Sequence, residues 1–219
     1  MPSLSPTSSI QAATFHFVSE VSRNPDTEAA ARDLADEVRA KLGSAIPDLA
    51  FVFFSSHHVP RAELLAEMVA DALGARVSLG CSGEGIIAGA EELETSPAIT
   101  LWAACLPGVT LSPVRLSFSP TRDQFSLPGW PESDGQDGTF LLLADPFSTP
   151  MQDVLSLLDE RYPGMAAIGG LAGGGQDAGE NRLFLGRHAF DGGLVGGRVS
   201  GTRSEEHTSE LQSRGLISY

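Results

Sequence analysis

The chain has 219 residues, 42% of them hydrophobic, with 24 glycines and a formal net charge of −14 at pH 7. That length buries one core of ordinary size or two small ones. The acidic excess argues against partners such as nucleic-acid backbones and anionic membrane surfaces, and no stretch approaches the ~20 apolar residues of a bilayer span. Two cysteines, Cys81 and Cys105, are too few for a disulfide scaffold or a four-cysteine zinc site. The N-terminus lacks the basic flank and apolar segment of a secretory signal, so the expected location is cytoplasmic.

Residues 1–11 are rich in Ser and Pro and read as a loose leader. Residues 12–19 read as a first strand. Asn24-Pro25-Asp26 is a turn with a helix cap at Asp26 or Asn24. From Thr27 to Leu42, Ala30, Leu34, Val38 and Leu42 recur every four residues between charges, which predicts an amphipathic helix stopping at Gly43. Leu49–Phe54 is a continuous apolar run, as in a strand covered on both faces, and ends in Ser55-Ser56-His57-His58. Pro60 opens a second helix with Leu64, Leu65, Met68, Val69 and Leu73 along one face. Residues 76–79 are a short strand entering a glycine-rich corner, Gly80–Gly85. Residues 97–105 and 109–118 read as two strands joined near Pro107-Gly108, and 119–137 as a long surface loop.

The second half follows the first in outline. Phe140–Leu143 is an apolar strand ending in Ala144-Asp145-Pro146. A helix follows from about Pro150 to Tyr162, with Val154, Leu155 and Leu158 inward. Ala166-Ala167-Ile168 then enters a second glycine-rich corner, 169–175, and two short strands follow near 181–189 and 193–200. Phe51 to Gly80 and Phe140 to Gly169 span the same number of residues. The spacing predicts an α/β fold with a mixed β-sheet, flanking helices and two duplicated β-α-β-hairpin units.

Few motifs carry chemistry. Gly83-Glu84-Gly85-Ile86-Ile87-Ala88 matches the dinucleotide pattern G-x-G-x-x-A. No amphipathic helix starts there and no acid stands some 20 residues on, so neither a nucleotide nor any other cofactor is expected. Cys81 could be a nucleophile with a base from His57 or His58, and the competing reading is a buried core thiol. Neighbouring histidines on extended backbone diverge, which disfavours a shared metal ion. Glu91, Glu92 and Glu94 read as a solvated loop. The collective signal is stronger. Polar, glycine-rich termini of apolar strands fall at 55–58, 80–85, 144–146 and 169–175, where open α/β sheets bind ligands. There main-chain amides could hold a carboxylate, with Arg76 or the His57-His58 edge supplying positive charge.

Several of these stretches resemble the FIST N-terminal domain, a sensory domain of bacterial signalling proteins and of some F-box proteins. They are Pro47–Phe53 with Ser55-Ser56-His57, Leu79–Ile87 with Glu92, Leu143–Pro146, Ile168–Ala172 and Gly193–Gly196. The resemblance covers about 15–202 and implies a domain over 12–202 that binds a small molecule, in the first instance an amino acid, and signals to a partner. It carries over no catalytic residues, and the expectation is not an enzyme. Gly80, Cys81, Ser82, Gly83, Glu84, Gly85, Gly169 and Gly170 fall in the family's recurrent turns. With His57 and Asp145 they form the expected ligand-binding set. The alternatives are an acyl-transfer or hydrolytic enzyme using Cys81, and an interaction scaffold. Residues 203–219 resemble a translated short-read sequencing adapter. They are set aside as a non-native tail, and a companion C-terminal FIST domain is expected to be missing by truncation after Thr202.

Overall fold

The computed structural model describes residues 14–118, 130 and 138–201. The leader, all of the 119–137 loop except Trp130, and the 203–219 tail lie outside the described residues.

Helix α1 (Thr27–Leu42) forms where the fourfold apolar spacing predicts it. Its Asp26 cap accepts a hydrogen bond from the Ala29 amide at 2.8 Å, satisfying one of the free donors of the first turn. Strand β1 is His16–Ser22, starting four residues and ending three residues later than expected. Strand β2 (Leu49–Ser55) is followed by a 3₁₀ turn over Ser56–Arg61, so that helix α2 (Ala62–Leu73) starts just after Pro60. Strand β3 is Val77–Gly83, β4 and β5 are Ile86–Ala88 and Glu91–Leu93, β6 is Ile99–Cys105 and β7 is Val109–Leu116. In the second half β8 is Thr139–Ala144, α3 is Met151–Arg161, β9 is Ala166–Leu171, β10 and β11 are Leu183–Leu185 and His188–Phe190, and β12 is Leu194–Gly201.

The strands make two stacked mixed sheets rather than one. Sheet one has the order β1-β6-β2-β3-β10-β11, sheet two has β7-β12-β8-β9, and β4–β5 pair only with each other. Alternation along β2 decides the layers. Ala50, Val52 and Phe54 face α1 and α2, whereas Leu49, Phe51 and Phe53 face sheet two. Leu143 and Val195 of sheet two meet them in a shared core. The opposite face of sheet two, with Phe140 and Leu142, packs on α3 and Trp130. The result is four layers: helices, sheet, sheet, helix.

The duplication is more extensive than the spacing suggests. In the first half β1-β6-β2-β3 are neighbours, and in the second β7-β12-β8-β9 stand in the same relation. In each set the first three strands are antiparallel neighbours and the last pair is parallel. Each parallel pair is joined by a helix. Gly80 lies opposite Val52 and Gly169 opposite Leu142. At both, a Cβ would overlap the carbonyl oxygen of the facing residue. The two glycines are therefore equivalent, and the second crossover is one residue shorter than the first.

Two expected connections are different. The strands flanking Pro107-Gly108 are not a hairpin, because β6 belongs to sheet one and β7 to sheet two. This loop carries the chain from one repeat to the next. Likewise the hairpin of the second half is β10–β11, within the segment read as a single strand, and it joins sheet one.

Candidate functional site

The carboxyl ends of β2 and β3 lie beside the loop that follows β9. Strand β3 runs on through Gly80, Cys81 and Ser82 to Gly83, so the corner proper is Gly83-Glu84-Gly85. The second corner likewise begins only after Leu171. Gly173 donates its amide to the Ser82 carbonyl at 3.0 Å. A Cβ on Gly173 would lie 3.4 Å from the Glu84 nitrogen, and one on Gly174 would lie 3.2 Å from the Gly83 carbonyl oxygen and 3.5 Å from Ser56 Cβ. Three of the four strand-end clusters thus meet at one glycine-lined lip, with Ser56, His57, Glu84 and Gly85 exposed around it.

A buried polar network holds this lip. Asp145 is fully buried at the end of β8. Its Oδ2 accepts from the Ser148 amide at 2.9 Å and hydroxyl at 2.6 Å, and its Oδ1 accepts from Asn181 Nδ2 at 3.0 Å. Asn181 Oδ1 in turn accepts the Gly175 amide at 3.0 Å. Ser82 donates its amide to the Arg182 carbonyl, and its Oγ accepts the Arg182 amide. Glu180 accepts from the amides of Gln176 and Asp177, which hold its carboxyl below the usual carboxylate range. Asp145 therefore braces the second corner instead of facing solvent. The sequence offers no signal for Asn181, which reaches Asp145 across 36 residues, or for Arg182, which lies 100 residues from Ser82 in the corner it closes.

The other expected residues divide. His57 is exposed, with Nδ1 3.2 Å from Ser55 Oγ. His58 turns inward, fully buried, with Nδ1 2.9 Å from Thr27 Oγ1. Burial, then the neighbouring His57, push the His58 pKa down against an opposing pull from Asp26. Cys81 lies in the core between the sheets, and burial pushes its thiol up to about 12. At neutral pH it holds its proton, which disfavours the thiolate a nucleophile needs. Arg76 pairs with Asp48 at 3.3 Å, at the far end of β3 from the lip, and cannot serve it. Gly169 and Gly170 belong to β9 and line an apolar groove beside α3. Glu91 pairs with Arg23. Among the described residues no three His, Cys, Asp or Glu side chains converge as a metal ion requires, and no helix is long and apolar enough to cross a membrane.

Uncharacterized proteins of two Mycobacterium tuberculosis strains are 33% identical over 190 residues, which is 87% of this chain and 49% of theirs. One from Mycobacterium bovis is 30% identical over 183 residues, 84% of this chain and 47% of its own. The chain thus spans about half the length of these relatives. The FIST N domain profile matches residues 48–211, from β2 through β12 and into the 203–219 segment. With that match over most of its length, the chain belongs to the FIST N domain family of sensory, signal-transduction domains.

Proposed function

We propose that this domain senses a small zwitterionic metabolite, an amino acid in the first instance, at the lip between Gly83–Gly85 and Gly173–Gly175. The observation that carries the reading is the meeting of two glycine corners beside exposed groups of both kinds. Glycine backbone lets main-chain amides approach a carboxylate closely, and His57 adds a donor. Glu84 offers a carboxylate to an ammonium group. Because the two corners come from different repeats, a ligand bridging them would favour one spacing of the two halves, a population shift that an attached or partner module can read. The loaded and empty states would then differ at the β3–β4 and β9–β10 connections, not in the core.

Thermal-shift titration of this chain and of a full-length mycobacterial relative against amino acids tests it. A ligand at a hundredfold its Kd stabilises by about 2.7 kcal/mol, a rise of roughly 5–10 °C for a domain of this size. Glu84→Gln should abolish most of that rise while leaving the unliganded midpoint in place. No shift with any amino acid in either protein would overturn the reading. The thiol-enzyme alternative predicts selective alkylation of Cys81 in the native protein. The buried, protonated thiol predicts that iodoacetamide modifies Cys81 only after unfolding.

A further inference from the structure

The internal repeat leaves one pairing unfilled. In the first repeat the outer edge of β3 is covered by β10, which runs antiparallel with Phe184 opposite Gly80. Gly80 has no side chain on that face, and Phe184 stacks across it on Phe54 at 4.7 Å, buried among α2 residues such as Leu65 and Val69. In the second repeat the equivalent strand is β9. Its outer edge has no strand partner among the described residues, and every one of its six residues is exposed.

The space that Phe184 fills in the first repeat is open in the second. Val52 and Phe54 correspond to Leu142 and Ala144 through the Gly80–Gly169 equivalence. Leu142 and Ala144 form the floor of a groove of about 310 Å³, with Met151 and Leu155 of α3 on one side and Leu171 on the other. Leu155, which the helical pattern places inward, is 45% exposed here, and Ile168 and Leu171 are 62% and 56% exposed. An open, flat, apolar strand edge is a template for another strand.

The order of the repeats says where that strand comes from. The hairpin covering β3 belongs to the following repeat. The first repeat's own hairpin, β4–β5, joins neither large sheet among the described residues and packs beside Phe53 and Ala98. By the same rule β9 receives a hairpin from the polypeptide C-terminal to the second repeat. The mycobacterial relatives are about twice the length of the region they share with this chain.

We propose that the edge of β9 and the groove beside α3 seat an antiparallel β-strand from the C-terminal half of the full-length polypeptide, with a large apolar side chain opposite Gly169. This interface is independent of the ligand reading above.

Hydrogen exchange on the full-length Mycobacterium tuberculosis relative tests it, with the strand aligned to β3 as internal standard. The strand aligned to Ala166–Leu171 should exchange as slowly as that standard. In the present chain at low concentration, β9 should exchange about 100-fold or more faster than β3. A photo-reactive residue at the position aligned with Leu171 should cross-link within one molecule, to residues C-terminal to the position aligned with Gly201. Fast exchange of the strand in the full-length relative overturns the proposal. So does protection of β9 in the present chain, whether at all concentrations or appearing with self-association. Cross-links between copies, or to the N-terminal half, also overturn it.

Discussion

At the residue scale, His58 shows how burial turns a titratable side chain into a pH sensor of stability. Its ring is enclosed against Thr27 at the start of α1, and Nε2 has no hydrogen-bond partner among the described residues. The folded state therefore disfavours the proton that the unfolded chain accepts near pH 6.5. The unfolded state binds more protons below that point. The His58 contribution to stability is complete above about pH 6.5 and is lost as pH falls toward the depressed folded value. Urea midpoints measured from pH 7.5 to 5 should fall with pH, and His58→Asn should flatten that limb. An unchanged slope in the variant would show that the proton is taken up elsewhere. Of the residues read as ligand contacts, His57, Glu84 and Gly85 are exposed at the lip and Gly83 is half-buried there, whereas Cys81 and Asp145 are buried, since residue type alone says nothing about which face of a strand or turn meets solvent.

At the element scale, glycine was ambiguous. Both glycine-rich stretches read as turns, yet Gly80 and Gly169 lie within parallel strands because a neighbouring carbonyl leaves no room for a Cβ. The corners consequently lie further along the chain than glycine content indicates. The two positions should respond differently to the same change. β3 is clamped between β2 and β10, so Gly80→Ala must push paired strands apart, at about 3 kcal/mol or more. The outer edge of β9 has no strand partner among the described residues, which leaves it room to shift, so Gly169→Ala should cost only about 1–2 kcal/mol in this chain. Urea unfolding of both variants gives the comparison, and equal losses would contradict an open β9 edge. Helices were more legible: α1, with its Asp26 cap and fourfold spacing, ends at Gly43 as read. The hairpins were less so, because local turn signals do not reveal which sheet a strand joins.

At the scale of the whole molecule, the two sheets share a core through Leu79, Leu183, Leu143 and Val195, so neither half has a complete interior alone. The two tryptophans report on different layers. Trp102 lies on β6 of sheet one beside Phe51, and Trp130 packs on Phe140 of sheet two. Trp102→Phe and Trp130→Phe variants, each followed by its remaining indole, should unfold in urea with single transitions and the same cooperativity once the small stability difference is allowed for. A sheet that melts separately would show two transitions by circular dichroism. The sequence by itself determined the α/β class, most helices and strands, the repeat, and through its ordered corner motifs the family. These are local periodicities and spacings, which survive without knowledge of partners. Only the tertiary structure decided that the strands split into two stacked sheets, that Asp145 and Asn181 brace the lip, and that β9 has no outer partner among the described residues. Each of those depends on contacts between residues far apart in the chain, which no local pattern encodes.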